Sequence, residues 1–97
     1  MAKGYWVAHV DVDDLETYKK YIAANAVPFA EFGARFLVRG GPHEVREGNV
    51  RQRTIVLEFE SYEKARACYD SASYQEVKAI RDAASRGDMV IVEGYDG

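Results

Sequence analysis

The stretch from Gly4 to Val12, GYWVAHVDV, mixes aromatic and β-branched residues in one short run and predicts the first strand of a sheet. Asp13 follows at once and can cap a helix, with Glu16 completing a capping box. Apolar residues then recur at helical spacing, at Leu15, Tyr18, Ile22, Ala26 and Phe29. We therefore predict a helix from about Asp14 to Phe32, which Pro28 interrupts and Gly33 ends.

The remainder of the chain predicts three more strands and two more helices. Arg35 to Gly41 and Arg53 to Glu60 have the composition of strands, and a polar segment separates them. Ser61 is predicted to cap the second helix, and Ser73 with Glu76 to open the third. Gly87 is predicted to end that helix before a last strand from Met89 to Tyr95. The βαββαβ order predicts an α+β, ferredoxin-like antiparallel sheet with its helices on one face and the other face bare.

Side chains alternate between the two faces of a strand, so each strand divides into two sets. The set without charge is expected to form the core: Trp6, Ala8, Val10, Phe36, Val38, Gly40, Ile55, Leu57, Phe59, Val90, Val92 and Gly94. The other set mixes apolar and ionisable residues: Tyr5, Val7, His9, Arg35, Leu37, Arg39, Thr54, Val56, Glu58, Ile91, Glu93 and Tyr95. Such a mixture suits a covered but polar cavity, so we expect two copies to stack their open faces as a homodimer.

The composition limits which partners and which cellular location are expected for this chain. The 97 residues are expected to form one domain, residues 1–97, and the net charge of −3 with scattered basic residues disfavours nucleic acid. One cysteine and the lack of a long apolar run predict a cytoplasmic protein that does not enter a membrane. We expect no metal, because the histidines and the cysteine lack ligand spacing, and no cofactor, because no glycine-rich phosphate loop is present.

Arg39 and Glu58 are the first candidates for a ligand site. A two-residue hairpin turn at Gly48-Asn49 would place Arg39 directly opposite Glu58 on the open face. There the guanidinium could orient a carboxylate or enolate ligand. The alternative is a structural ion pair at the dimer interface.

Other candidates come from strand one and from the helices. His9 is the candidate catalytic residue because its imidazole could accept a substrate proton near neutral pH; the alternative is hydrogen-bonded filling. Tyr18, Tyr69 and Tyr74 could line a ligand cleft between helices and sheet, or simply pack the core. Asn25 could be a polar handle in the same cleft, and Arg81 could pair with Asp70 or face solvent.

Several segments carry a resemblance to a known family: Tyr5-Trp6-Val7, Arg35-Phe36-Leu37-Val38-Arg39-Gly40-Gly41, Val56-Leu57-Glu58-Phe59, Cys68-Tyr69-Asp70-Ser71 with Tyr74-Gln75, and Val92-Glu93-Gly94. They resemble the domain-of-unknown-function 1330 family over nearly the whole chain. The resemblance implies the dimeric α/β barrel superfamily, which includes small monooxygenases, isomerases, haem-degrading enzymes and non-catalytic proteins.

The sequence leaves two functions open. One is a non-catalytic dimer that binds a small molecule, and the other is a cofactor-free enzyme, monooxygenase- or isomerase-like, that acts on a small carboxylated or aromatic metabolite. An RNA-recognition motif has the same strand order, but the open set of strand three has no aromatic residue on which a base could stack.

Overall fold

The computed structural model describes residues 2–97 and contains one antiparallel sheet of four strands in the order β2-β3-β1-β4. The strands are β1 (Gly4–Val12), β2 (Arg35–Arg39), β3 (Arg53–Phe59) and β4 (Ser85–Glu93). The helices are α1 (Leu15–Ala24), α2 (Ala26–Glu31), α3 (Tyr62–Asp70) and α4 (Ala72–Ala84). The ferredoxin-like α+β fold predicted from the sequence is confirmed. Among residues 2–97, no helix is long and apolar enough to cross a membrane.

Two of the predicted helix starts are wrong by one or two residues. Asp14, not Asp13, caps α1, because its carboxylate accepts hydrogen bonds from both the amide and the hydroxyl of Thr17. Asp13 instead pairs with Arg86 of β4. Ser71, not Ser73, caps α4 by accepting from the amide of Tyr74. The predicted cap at Ser61 is confirmed.

The first predicted helix breaks earlier than expected. Asn25 separates α1 from α2, three residues before Pro28, which lies inside the short second helix. Gly33 follows with φ +68°, the left-handed conformation predicted for the end of this segment. Gly87 does not end α4, since it lies inside β4 opposite Val10.

The register of β2 against β3 also differs from the prediction. Arg35 lies opposite Glu58 and Phe36 opposite Leu57, but a β-bulge at Leu37 shifts the pairing, so that Arg39 lies opposite Ile55. The predicted Arg39–Glu58 pair is therefore wrong. A long connection joins the strands instead of a two-residue turn, and the extra bulge residue moves Arg39 to the helical face of the sheet.

The core lies between the helices and one face of the sheet. Trp6, Leu57 and Phe59 are almost fully buried there, as the alternation predicts. The prediction is reversed for β4 and for one residue of β2. Ile91 pairs with Trp6 and packs on the core, whereas Val90, Val92 and Val38 are exposed on the other face.

Trp6 is at the centre of this core. Its ring lies 4.8 Å from that of Tyr74, 5.2 Å from Phe59 and 5.4 Å from Phe29, centroid to centroid. The indole nitrogen donates a hydrogen bond of 2.8 Å to the carbonyl of Ala65. Aromatic packing and this bond fix the floor on which the candidate site is built.

Candidate functional site

Two concave sites lie on the helical face of the sheet. The inner cavity is between the sheet and α1, α2 and α4, with Trp6 and Leu57 in its floor. Its polar lining consists of Tyr18, Tyr21, Asn25, Arg39, Arg53, Tyr74 and Arg81. The outer groove is between α4 and the edge strand β4, and Lys78, Asp82 and Ser85 line it. The inner cavity and the outer groove share four lining residues: Ala8, Val10, Met89 and Arg81. The two spaces are therefore continuous, and Arg81 lies at the boundary between them.

The two spaces differ in size. The inner cavity has a free volume of about 30 Å³, room for one or two water molecules, whereas the outer groove has about 490 Å³. A ligand larger than water therefore requires side chains at the boundary or the mouth of the inner cavity to move. Arg39 is exposed and Arg53 is half-buried, so both can change rotamer.

The inner cavity is electropositive. Arg39, Arg53 and Arg81 line it, and among residues 2–97 none of its lining side chains is a carboxylate. The nearest carboxylate partner of Arg81 is Asp82 in the outer groove, 3.8 Å from Nη2. In a chain of net charge −3, three guanidinium groups in one cavity favour an anionic occupant.

The side chain of Arg53 lies between Gly40 and Tyr18. The guanidinium lies against the backbone of Gly40, where a Cβ atom would come within 2.7 Å of Nη1, and 5.6 Å above the ring of Tyr18. Its Nε is buried and has no hydrogen-bond partner within the part of the chain that is described. A buried donor without an acceptor is costly, so a rotamer change that brings this nitrogen to a ligand or water oxygen is favoured.

The strand ends beside the cavity are fixed from the opposite face. Arg51 bonds to Asp11 at 2.9 Å and to Asp88 at 3.0 Å, and so ties the start of β3 to β1 and β4. A backbone hydrogen bond from Gln52, followed by the contact with Arg51, lowers the pKa of Asp11. These contacts hold the segment from which Arg53 projects.

The open face of the sheet carries a separate set of side chains. A valine row crosses it: Val38, Val56, Val7 and Val90 are cross-strand neighbours. On one side of this row lie Arg35, Glu58 and Tyr5, and on the other lie Thr54 and His9. The row gives the face an apolar centre between two polar edges.

The candidate residues predicted from the sequence lie on both faces of the sheet. Arg39 and Tyr18 line the inner cavity, and Tyr69 lines the outer groove. Glu58 and His9 lie on the open face instead. Glu58 accepts from the Tyr5 hydroxyl at 3.1 Å, which raises the pKa of Tyr5, and its carboxylate is 3.7 Å from Arg35.

The remaining sequence candidates have defined environments. His9 Nδ1 is 3.2 Å from the Thr54 hydroxyl. Arg81 donates to the Tyr74 hydroxyl rather than pairing with Asp70, and Asn25 is buried in the inner cavity. Burial raises the pKa of Cys68 to about 12, so this side chain is a neutral thiol in the core.

Sequence reasoning missed Arg53 and Tyr21. Arg53 alternates in step with Ile55, Leu57 and Phe59, and that spacing already indicates the helical face. Tyr21 follows Tyr18 by three residues on the same side of α1, which is the spacing of helical neighbours. Arg53 carries a charge, which the alternation rule does not assign to a core face, and Tyr21 falls outside the apolar stripe through Tyr18 and Ile22.

This arrangement defines a ferredoxin-like α+β protein with an electropositive cavity between helices and sheet. The family model described as a domain of unknown function (DUF1330) matches residues 3–95, so the chain belongs to that family. No curated protein matches the sequence.

Solved structures of low sequence identity share the fold. A protein of unknown function from Rhodopseudomonas palustris is 14% identical, with a TM-score of 0.79 over 99% of this chain and 85% of that one. SnoaB, a cofactor-independent oxygenase from Streptomyces nogalater, is 12% identical, with a TM-score of 0.66 over 100% of this chain and 97% of its own. A dimeric ferredoxin-like protein of unknown function from Thermobifida fusca is 18% identical, with a TM-score of 0.61 over 95% and 89%.

Proposed function

We propose that this chain is a one-domain homodimer that binds a small anionic molecule in the inner cavity. The observation that carries the proposal is the convergence of Arg39, Arg53 and Arg81 on a cavity without a lining carboxylate among the residues described. Guanidinium groups bind carboxylates and other planar anions through paired hydrogen bonds. The aromatic floor and walls favour a ligand that also has a flat apolar part.

The dimer forms through the open face. The valine row would be covered by the same row of a second copy, and a self-complementary patch of this kind suits a two-fold axis. The dimeric structure from Thermobifida fusca has the same fold and supports this assembly. His9 and Glu58 would then lie at the interface, where hydrogen bonding and ion pairing are their roles.

A cofactor-independent enzyme is the second candidate, and the fold similarity to SnoaB favours it. Catalysis in the inner cavity could not use His9, because His9 lies on the open face, on the other side of the sheet. An acid–base group must come within about 3 Å of the proton that it transfers. The tyrosine hydroxyls are the groups in the inner cavity that could meet this requirement.

A cytoplasmic location agrees with the buried thiol of Cys68. A free thiol persists most readily in a reducing compartment.

Binding can be tested with the fluorescence of Trp6, the one tryptophan of the chain, which lines the cavity. Small aromatic carboxylates such as benzoate should change its emission and raise the thermal midpoint. Arg53→Lys keeps the charge but loses the planar pair of donors, so affinity should fall about tenfold. Arg35→Lys on the open face, where the side chain is 73% exposed, is the matched control and should bind as the wild type does.

If no carboxylate changes the Trp6 emission or the thermal midpoint of the wild type, the cavity is not an anion site. Equal affinity in Arg53→Lys and the wild type would also contradict the proposal, since Arg53 would then take no part in binding.

A further inference from the structure

Two tyrosine hydroxyls and one guanidinium form a connected network at the inner cavity. The hydroxyls of Tyr21 and Tyr74 are 2.7 Å apart, and Arg81 Nη1 donates to the Tyr74 hydroxyl at 2.9 Å. The guanidinium carbon lies 5.8 Å from the ring centroid of Tyr21 and 5.9 Å from that of Tyr74. All three side chains line the cavity, and Tyr74 is completely buried.

The donor capacities of these groups give the network a direction. Arginine only donates, so the Tyr74 oxygen is the acceptor from Arg81. The Tyr74 proton is buried, and the Tyr21 oxygen is the neighbour that can accept it. With that bond made, the Tyr21 oxygen is already an acceptor, and its own proton is left to donate elsewhere. The direction that gives the buried Tyr74 proton an acceptor is Arg81 to Tyr74 to Tyr21, and in this direction each bond polarises the next.

The two phenols remain neutral donors. Burial raises the pKa of Tyr21, although the hydrogen bond with Tyr74 and the charge of Arg81 act in the opposite direction. Burial also raises the pKa of Tyr74 far above its ordinary value. The amide of Asn25 is a further cavity group close enough to Tyr21 to lower its pKa. A neutral, polarised O–H beside a cation is suited to an oxygen that carries negative charge.

The cavity thus has two poles. Arg53 lies over the ring of Tyr18, and that ring lies 5.7 Å from the ring of Tyr21. Tyr21 is the last member of the hydrogen-bond network that starts at Arg81. Through these contacts, the rings of Tyr18 and Tyr21 connect the two guanidinium groups. One pole offers the guanidinium group of Arg53, and the other offers the Tyr21 hydroxyl.

We propose that the ligand is a conjugated hydroxy-carboxylate or enol-carboxylate, whose carboxylate is bound by Arg53 and whose ionised phenolic or enolic oxygen accepts a hydrogen bond from Tyr21. Tyr74 and Arg81 act on this oxygen through Tyr21 and are positioning residues. The inference rests on the proposed function of the inner cavity and adds to it the second anchoring group and the ionised state of the ligand. In such a conjugated ligand, the negative charge on the phenolic or enolic oxygen is delocalised towards the carboxylate.

The test uses 4-hydroxy-3-nitrobenzoate, whose phenol and phenolate forms absorb at different wavelengths. Titrating the full-length wild-type protein with this probe at a series of pH values gives the affinity for each form and the pKa of the bound phenol. We expect the phenolate to bind at least tenfold more tightly than the phenol, which lowers the pKa of the bound phenol by at least about one unit.

Four variants separate the two poles. Tyr21→Phe and, as a second variant at the same pole, Tyr74→Phe should lose most of the preference for phenolate while still binding the carboxylate. Arg53→Lys should weaken both forms equally and leave the pKa of the bound phenol unchanged. Tyr62→Phe is the matched control, because Tyr62 lies on α3 and lines neither the inner cavity nor the outer groove; it should behave as the wild type does.

The outcomes distinguish the two proposals. If the wild type binds neither form of the probe, the anion site itself is wrong, and this inference fails with it. If it binds phenol and phenolate equally, the anion site stands and the role of Tyr21 is wrong. The same conclusion follows if folded Tyr21→Phe and Tyr74→Phe both retain the full phenolate preference.

Discussion

Replacing Val90 by aspartate should separate the proposed homodimer into monomers. Val90 belongs to the valine row of the open face, where it pairs with Val7. It is 59% exposed in the single chain. An interface through this face would cover that exposed part, and aspartate would put a charge in its place.

The size of the effect follows from that exposure. Full burial of a valine side chain stabilises by about 1.5–3 kcal/mol, so covering the exposed part of Val90 contributes roughly 1–2 kcal/mol. A two-fold axis brings the substitution into the interface twice, which makes the loss roughly 2–4 kcal/mol. That corresponds to a dissociation constant roughly thirty- to several-hundred-fold larger. Desolvation of two carboxylates adds to this loss.

Sedimentation velocity over a range of concentrations measures the change. The wild type should sediment at micromolar concentration with twice the chain mass of 10.9 kDa, and Val90→Asp with the mass of one chain. Val27→Asp is the control, because Val27 is 69% exposed on α2, on the helical side of the sheet. Circular dichroism verifies that both variants are folded.

A monomeric wild type would refute dimerisation altogether. A dimer that Val27→Asp disrupts while Val90→Asp does not would refute the open face as the interface, and would indicate assembly through the helices.

Three further outcomes are expected. Phe59→Ala should lower the free energy of unfolding by roughly 3–5 kcal/mol in urea, because Phe59 is 1% exposed in the core; a midpoint near that of the wild type would contradict this. Gly40→Ala and Gly33→Ala both place alanine at positive φ, so each should lower the free energy of unfolding by roughly 1–2 kcal/mol. Only Gly40→Ala should also weaken carboxylate binding, because its methyl group would displace the guanidinium of Arg53. Equal carboxylate affinity in the two variants would show that Gly40 does not position Arg53. Asp14→Ala should lower the thermal midpoint at neutral pH by about 4–8 °C and Asp13→Ala by less, since Asp14 caps α1. Hydrogen bonds from Thr17 lower the pKa of Asp14. The stability that ionised Asp14 contributes is therefore present above the unfolded pKa near 4 and is lost as pH falls through the lower folded pKa. A difference in thermal midpoint between wild type and Asp14→Ala that persists at pH 2 would show that the charge is not responsible.

The sequence by itself determined the order of elements and the composition of most of the core. Strand and helix periods differ, and caps and glycines mark their ends, so β1, β3 and the helices could be read with errors of a few residues. Trp6, Leu57 and Phe59 could be assigned to the core because their alternation set carries no charge. The segments that resemble the DUF1330 family were also visible in the sequence, and the family is confirmed.

Tertiary structure decided what depends on register. A single bulge at Leu37 moved Arg39 from the open face to the cavity, and the register of β2 against β3 before that bulge gave Glu58 the partner Arg35. The pairing of β4 with β1 placed Ile91 on the core and Val90 on the open face, the reverse of the prediction. Side-chain alternation has a period of two, so a shift of one residue reverses every assignment that follows, and no local pattern fixes that shift.

The candidate site depends on the same long-range geometry. The helix positions of Tyr21 and Tyr74 and the strand position of Arg53 could each be read locally, but their convergence on one cavity could not. The hydroxyls of Tyr21 and Tyr74 are 53 residues apart in the chain and meet only because α1 and α4 pack side by side on the sheet. Contacts between distant segments arise from packing of the whole chain, which is why the sequence indicated candidate residues and only the fold assembled them into a site.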